Sequence, residues 1–287
     1  MNTQELLKKV RKIEIKTRRL SDAVFGGEYH SAFKGRGMTF SEVRQYQFGD
    51  DVRNIDWNVT ARYNEPYIKV FEEERELTLM LVVDVSSSTL FGTQNQIKKE
   101  IITELCATLA FSALQNNDKV GLLLFSDQVE LFVPPKKGKS HILRIIRELL
   151  EFKPEHKKTD VSGALKYMAG VLKKKAIVFV LSDFMSDDYM KTLQIIGRKH
   201  DVTGVRIYDK HEQELPKIGL VQFKDLETGK NLFINTNSSK TRREYAAHHI
   251  EKAAYFRDAF TRSDAGAIDL ETREDYSKKL LGYFKAR

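Results

Sequence analysis

Polar side chains follow two strongly apolar runs of this chain. Asp84-Val-Ser86-Ser-Ser88 comes directly after one run, and Asp183 stands one residue beyond the other. A third polar group, Thr159, precedes a pattern typical of a helix. Carboxylate and hydroxyl oxygens are hard ligands that suit Mg²⁺ or Mn²⁺ and suit zinc or copper poorly. These residue types predict one divalent-metal site, made from Asp84, Ser86, Ser88, Thr159 and Asp183.

A metal held mainly by hydroxyls would keep more of its positive charge than a metal in a cage of carboxylates. Such a metal attracts a carboxylate from outside, which favours metal-bridged binding of another protein and requires no catalysis. The competing hypothesis is a Mg²⁺-dependent phosphoesterase or nuclease that uses Asp84, Asp127, Asp160 and Asp183. Two-metal hydrolysis needs acidic ligands around ions roughly 3.5–4 Å apart. The hydroxyl-rich set is less suited to that chemistry.

The elements that must position these residues alternate between strands and helices. Continuous apolar runs over 79–83 and 176–181 predict strands that are buried on both faces. The alternation predicts an α/β fold whose mostly parallel sheet is doubly wound, with ligands bound at the carboxyl ends of the strands. Further strands are predicted over 67–71, 121–125, 129–133, 202–208, 218–224 and 231–235, and helices over 97–113, 140–152, 162–173, 187–199, 239–261 and 273–285.

The first quarter of the chain has a different pattern. An amphipathic helix is predicted over 4–19, and residues 21–64 are expected to be irregular because glycines interrupt any periodicity. The aromatic residues of this stretch, with Trp57, are expected to pack on the main domain. We therefore predict an N-terminal region over 1–75 packed on a main domain over 76–287.

Composition excludes several classes of protein. The 287 residues carry a net charge of +8, and residues 1–20 alone carry +5. No aromatic residue interleaves with these charges, so a solvated helix face is favoured over specific nucleic-acid binding, and peripheral contact with an anionic membrane stays open. The longest apolar run has six residues, whereas a bilayer span needs about 20. The single cysteine, Cys106, excludes an internal disulfide, and a cytoplasmic protein is expected.

The polar set resembles a known metal site. Asp84-x-Ser86-x-Ser88, Thr159 and Asp183 are similar to the five positions of the metal-ion-dependent adhesion site of von Willebrand factor type A domains. The resemblance implies that the serines and the threonine contact the metal directly or through water. It also implies that the aspartates bind the metal or hold its water ligands.

A second resemblance covers residues 20–287. Gly27 to Gly37, Phe40 to Tyr46, Gly49 to Trp57 and the ending around Ile268-Asp-Leu270 resemble the bacterial domain-of-unknown-function family fifty-eight. Members of that family are commonly linked to MoxR-type AAA+ ATPases, which are thought to act in protein maturation or complex assembly. The resemblance implies a von Willebrand factor type A-like domain whose partner is such an ATPase or its client.

Overall fold

A computed structural model describes residues 10–14, 16, 38–73, 77–87, 95–224 and 231–287. The strands are β1 (Met38–Gln45), β2 (Tyr67–Glu73), β3 (Thr78–Asp84), β4 (Lys119–Phe125), β5 (Val129–Lys136), β6 (Ile177–Ser182), β7 (Asp201–Tyr208), β8 (Leu220–Lys224), β9 (Asn231–Asn235) and β10 (Gly266–Glu271). The helices are α1 (Trp57–Tyr63), α2 (Asn95–Gln115), α3 (Lys139–Glu151), α4 (Val161–Val171), α5 (Met190–Gly197), α6 (Lys210–Gln213), α7 (Ser239–Thr261) and α8 (Tyr276–Ala286).

The main sheet has six strands in the order β10-β7-β6-β3-β4-β5. All neighbouring strands are parallel except β5, which returns antiparallel to β4 through a short turn. The chain leaves β3 for β4 on one side and later adds β6 on the other side. The strand order therefore reverses between β3 and β6, and the crevice at their carboxyl ends is the place where such sheets bind ligands.

Two apolar cores cover the two faces of this sheet. Alternate residues of the central strands point to opposite faces, so Leu81 belongs to one core and Val82 to the other. The first core also contains α2, α3 and α8, and the second contains α4, α5 and α7. The two strands beside the crevice are buried along their length except for Thr78 at the start of β3, which explains their continuous apolar runs. The predicted doubly wound α/β fold with a mostly parallel sheet is confirmed.

The N-terminal region is more ordered than the sequence predicts. Residues 10–14 and 16 are helical, and Val10 and Ile13 are buried in the first core. Within residues 38–64, which were expected to be irregular, β1 pairs antiparallel with β2 and α1 follows a short 3-10 turn. The register of β1 shifts between Phe40 and Glu42, and such a bulge breaks the alternation by which a strand is recognised.

Trp57 does not form the buried contact that was expected of it, since 70% of its surface is exposed. The predicted division at residue 75 stays a prediction. Residues 20–37, which carry part of the family resemblance, lie outside the described residues. Within the described chain, no helix is both long and apolar enough to cross a membrane.

His200 is a buried histidine at the start of β7, and neither ring nitrogen has a hydrogen-bond partner. Burial, and then the charges of Lys199 and Lys175, lower the pKa of His200 to about 4. The neutral ring is therefore the form that the folded protein accommodates.

We predict that His200 makes the protein sensitive to acid. The unfolded chain binds this proton below its ordinary pKa of 6.5, whereas the folded protein binds it only near 4. The contribution of neutral His200 to the free energy of unfolding is therefore complete above about pH 6.5 and decreases as the pH falls toward about 4. Urea unfolding of His200→Phe should show a smaller loss of stability between about pH 8 and pH 5 than the wild type. The exposed His248→Phe serves as the control, and equal pH dependence of His200→Phe and wild type would refute the prediction.

Candidate metal site

Asp84 ends the central strand β3, and its side chain is 1% exposed. One carboxylate oxygen, Oδ1, accepts a hydrogen bond from the backbone N–H of Ser86 at 2.9 Å. The other, Oδ2, accepts from the hydroxyl of Ser182 at 2.6 Å. Ser182 is the last residue of β6, so this bond joins the two strands across the crevice. The two bonds fix the orientation of a buried carboxyl group.

Asp183 follows Ser182 and lies close enough to affect Asp84. Burial, and then the charge of Asp183, raise the pKa of Asp84 to about 7. A buried carboxyl group and a half-buried one thus lie near each other, and their negative charges disfavour each other. A divalent cation would neutralise that repulsion, and the surrounding donors are hard oxygens, so the residues present fit Mg²⁺ or Mn²⁺.

A third segment, residues 152–160, carries Thr159 to the same edge of the sheet. The backbone N–H of Ser87 donates to the carbonyl of Lys157 at 3.0 Å, which joins this loop to the loop after β3. The backbone N–H of Asp160 donates to the carbonyl of Ser126, at the end of β4, at 2.8 Å. Thr159 is half-buried between these two attachments. Its position follows from main-chain bonds rather than from its own side chain.

The structure therefore brings Asp84, Ser86 and Asp183 to the crevice and attaches the Thr159 loop beside them. Ser88, the remaining predicted ligand, lies outside the described residues. Two of the predicted ligands are almost completely buried: Asp84 is 1% exposed and Ser86 is 0% exposed. Asp84 is the last residue of the buried strand β3, and Ser86 follows it two residues later at the crevice. Thr159 and Asp183 are half-buried.

The other acidic residues of the competing hydrolase hypothesis are engaged elsewhere. Asp160 is the N-cap of α4 and accepts from the backbone N–H of Gly163 at 2.9 Å. Asp127 lies 3.4 Å from the Nδ1 atom of His156. Among the described residues, no three His, Cys, Asp or Glu side chains form a group that could hold a metal ion. An acid-rich two-metal centre is not present in this part of the chain.

Basic groups of α7 approach the site, and the sequence does not predict them. The pKa of His249 is lowered by burial and by His248, while the charge of Asp183 acts in the opposite direction. The 183–190 segment is also fastened to α7, because Lys252 pairs with Asp187 and the Met190 backbone N–H donates to the Tyr255 hydroxyl. No spacing in the sequence connects α7 with β6, since the contact depends on the packing of the second face.

The site stands at the edge that the strand order predicts, and comparison with known proteins then gives the family. Residues 42–255, well over half of the chain, match the family model described as "Protein of unknown function DUF58". The chain belongs to the DUF58 family. The predicted resemblance to family fifty-eight is thereby confirmed, whereas the metal site within it stays a prediction.

Several bacterial proteins are similar to this DUF58 chain. The uncharacterized protein Rv1480 of Mycobacterium tuberculosis is 29% identical over 77% of this chain and 70% of its own length. The uncharacterized protein YeaD of Bacillus subtilis is 28% identical over 47% of this chain and 31% of its own length. Among solved structures, the conserved hypothetical protein BatB from Bacteroides thetaiotaomicron is 13% identical, with a TM-score of 0.47 over 73% of this chain and 98% of that one. An aerotolerance-related membrane protein from Bacteroides fragilis is 14% identical, with a TM-score of 0.46 over 74% of this chain and the whole of that one.

We predict that Ser182 contributes strongly to stability through the crevice. Its hydroxyl donates to Asp84 and accepts from the backbone N–H of Phe184 at 3.0 Å. Ser182→Ala leaves both buried groups without this partner and should lower the free energy of unfolding by about 1–3 kcal/mol.

Ser162→Ala is the matched control for this measurement. The Ser162 hydroxyl forms a hydrogen bond of 2.7 Å with Thr192 Oγ1, and Ser162 is half-buried on α4. Its loss should cost only about 0.5–1.5 kcal/mol. Urea denaturation that gives Ser182→Ala no larger cost than Ser162→Ala would contradict the assigned role.

Proposed function

We propose that this protein is a divalent-metal-dependent protein-binding module. Mg²⁺ or Mn²⁺ is held by Asp84, Ser86, Ser88, Thr159 and Asp183, and a carboxylate from the partner completes its coordination shell. The module has no hydrolytic role of its own. When bound, the metal supplies a positive charge at the carboxyl edge of the sheet.

One observation carries the proposal. Asp84 and Asp183 converge where the strand order reverses, and the pKa of Asp84 is raised by burial and by Asp183. The groups directly around Asp84 are hydrogen-bond donors, the Ser86 backbone and the Ser182 hydroxyl. A buried aspartate with a half-buried one near it, and hydroxyls beside them, suits one hard cation. The half-buried Thr159 and Asp183 leave a side of approach for a partner's carboxylate.

The partner belongs to the proposal as well. We infer that it is a MoxR-type AAA+ ATPase or a client of that ATPase, which would make this protein an adaptor in protein maturation or complex assembly. Membership of the DUF58 family supports this assignment through the association of that family with such ATPases. The docking chemistry expected of the partner is an exposed glutamate or aspartate.

Metal binding is the first test. Asp84→Ala and Ser86→Ala should each weaken Mg²⁺ or Mn²⁺ binding by about 10-fold or more in isothermal calorimetry, because each removes an oxygen from the crevice or from its support. Asp160→Asn is the control: it removes an acidic group of the hydrolase hypothesis but keeps an efficient N-cap, so metal affinity should not change. An equal response of wild type and Asp84→Ala to metal would refute the site.

Complex formation is the second test. Chelation with EDTA should weaken binding to a purified MoxR-type ATPase, and an Asp84→Ala/Ser86→Ala double variant should lose binding while Asp160→Asn keeps it. Added salt should matter less than chelation, because a short metal–carboxylate contact is screened less than exposed charges. Pull-downs that are unaffected by both treatments would overturn the mechanism. Phosphodiester hydrolysis that disappears in Asp183→Ala would establish the hydrolase instead.

A further inference from the structure

Neighbouring elements hold the loop that carries Thr159, residues 152–160, at its start, in its middle and near its end. At its start, the Lys99 ammonium group of α2 donates to the carbonyl of Phe152 at 3.3 Å. Near its end, the backbone groups of residues 157 and 160 bond to Ser87 and Ser126, as described above. In the middle of the loop, the His156 ring lies 3.4 Å from Asp127, as described above. The main chain of this middle part is held by a single further side chain.

That side chain is Glu130, on β5. Its Oε1 atom accepts from the backbone N–H of His156 at 3.0 Å, and its Oε2 atom accepts from the backbone N–H of Glu155 at 3.3 Å. The Ser126 hydroxyl donates to the same Oε1 atom at 2.7 Å. Both carboxylate oxygens are therefore used, and two of the three bonds hold main-chain atoms of the loop.

The charge of Glu130 is favoured in this arrangement. Burial alone would raise its pKa, but the hydrogen bonds from Ser126, His156 and Glu155 outweigh burial and keep the pKa below its ordinary value. Hydrogen bonds to an ionised acceptor are stronger than bonds between neutral groups. Glu130 thus fixes the loop three residues before Thr159, and the Asp160 backbone fixes it one residue after.

We propose that Glu130 is the positioning residue of the metal site, which sets metal affinity by holding the Thr159 hydroxyl at the crevice. This inference rests on the proposed function, because it assigns Thr159 to the metal. Glu130 itself does not contact the metal. Residues that orient metal ligands commonly change metal affinity about 10- to 100-fold when they are replaced.

The test compares three variants at one loop. Glu130→Ala removes all three hydrogen bonds, whereas Glu130→Gln keeps an acceptor oxygen for part of them. Glu155→Ala is the matched control, because it removes an exposed carboxylate from the same loop and leaves the backbone N–H in place. Mg²⁺ affinity is measured by calorimetry, and amide hydrogen exchange at residues 155 and 156 is measured in metal-free protein. Asp84→Ala is included to show whether Mg²⁺ binds at the proposed metal site at all.

We expect Glu130→Ala to weaken Mg²⁺ binding about 10- to 100-fold, Glu130→Gln to weaken it less, and Glu155→Ala to leave it unchanged. Exchange at residues 155 and 156 should be faster in Glu130→Ala than in Glu155→Ala without any metal. Faster exchange with wild-type Mg²⁺ affinity would overturn the inference while leaving the site intact. If wild type and Asp84→Ala bind Mg²⁺ alike, the proposed function fails, and the inference fails with it. If Glu130→Ala does not fold, the Mg²⁺ affinities of Glu130→Gln and Glu155→Ala are compared instead. Equal affinities of these two variants would overturn the inference.

Discussion

The buried hydrogen bond between Ser182 and Asp84 is the interaction on which the crevice depends. It joins the ends of the two central strands, β3 and β6, at the position where the strand order reverses. A carboxyl group that is 1% exposed is costly to bury unless its oxygens are satisfied, and Ser182 and the Ser86 backbone satisfy both of them. The geometry of the edge is thus determined by a polar contact at the end of an otherwise apolar sheet.

Main-chain hydrogen bonds then extend this order outward to the loops. The loops after β3 and β4 each bind the 152–160 segment through a backbone pair, and Glu130 binds it through a side chain. Loops that hold one another in this way lose little further freedom when a ligand binds. The site is consequently formed by three segments together.

The sequence predicts the central elements well because burial on both faces leaves a clear signal. The apolar runs at 79–83 and 176–181 correspond to β3 and β6 within one residue at each end, and the helix predicted over 239–261 has those bounds in the structure. The sequence does not reveal β1, whose alternation is interrupted by a bulge. Glu130 could not be found either, since its partners are backbone N–H groups about 25 residues away, which leave no pattern in residue types.

The segment after Asp183 is held by α7, which packs in the second core. Phe184 is fully buried in a left-handed backbone conformation with φ of 54°, which is unfavourable for a residue with a bulky side chain. Its ring packs against Phe256 at 4.6 Å and Phe260 at 5.4 Å, both in α7, and this aromatic packing offsets the backbone cost. The main chain around Asp183 is thereby held in place by apolar contacts that involve no metal. For the proposed metal site, this preorganisation means that the rate of Mg²⁺ entry should be governed by the reluctant release of the ion's own water ligands rather than by closure of the protein.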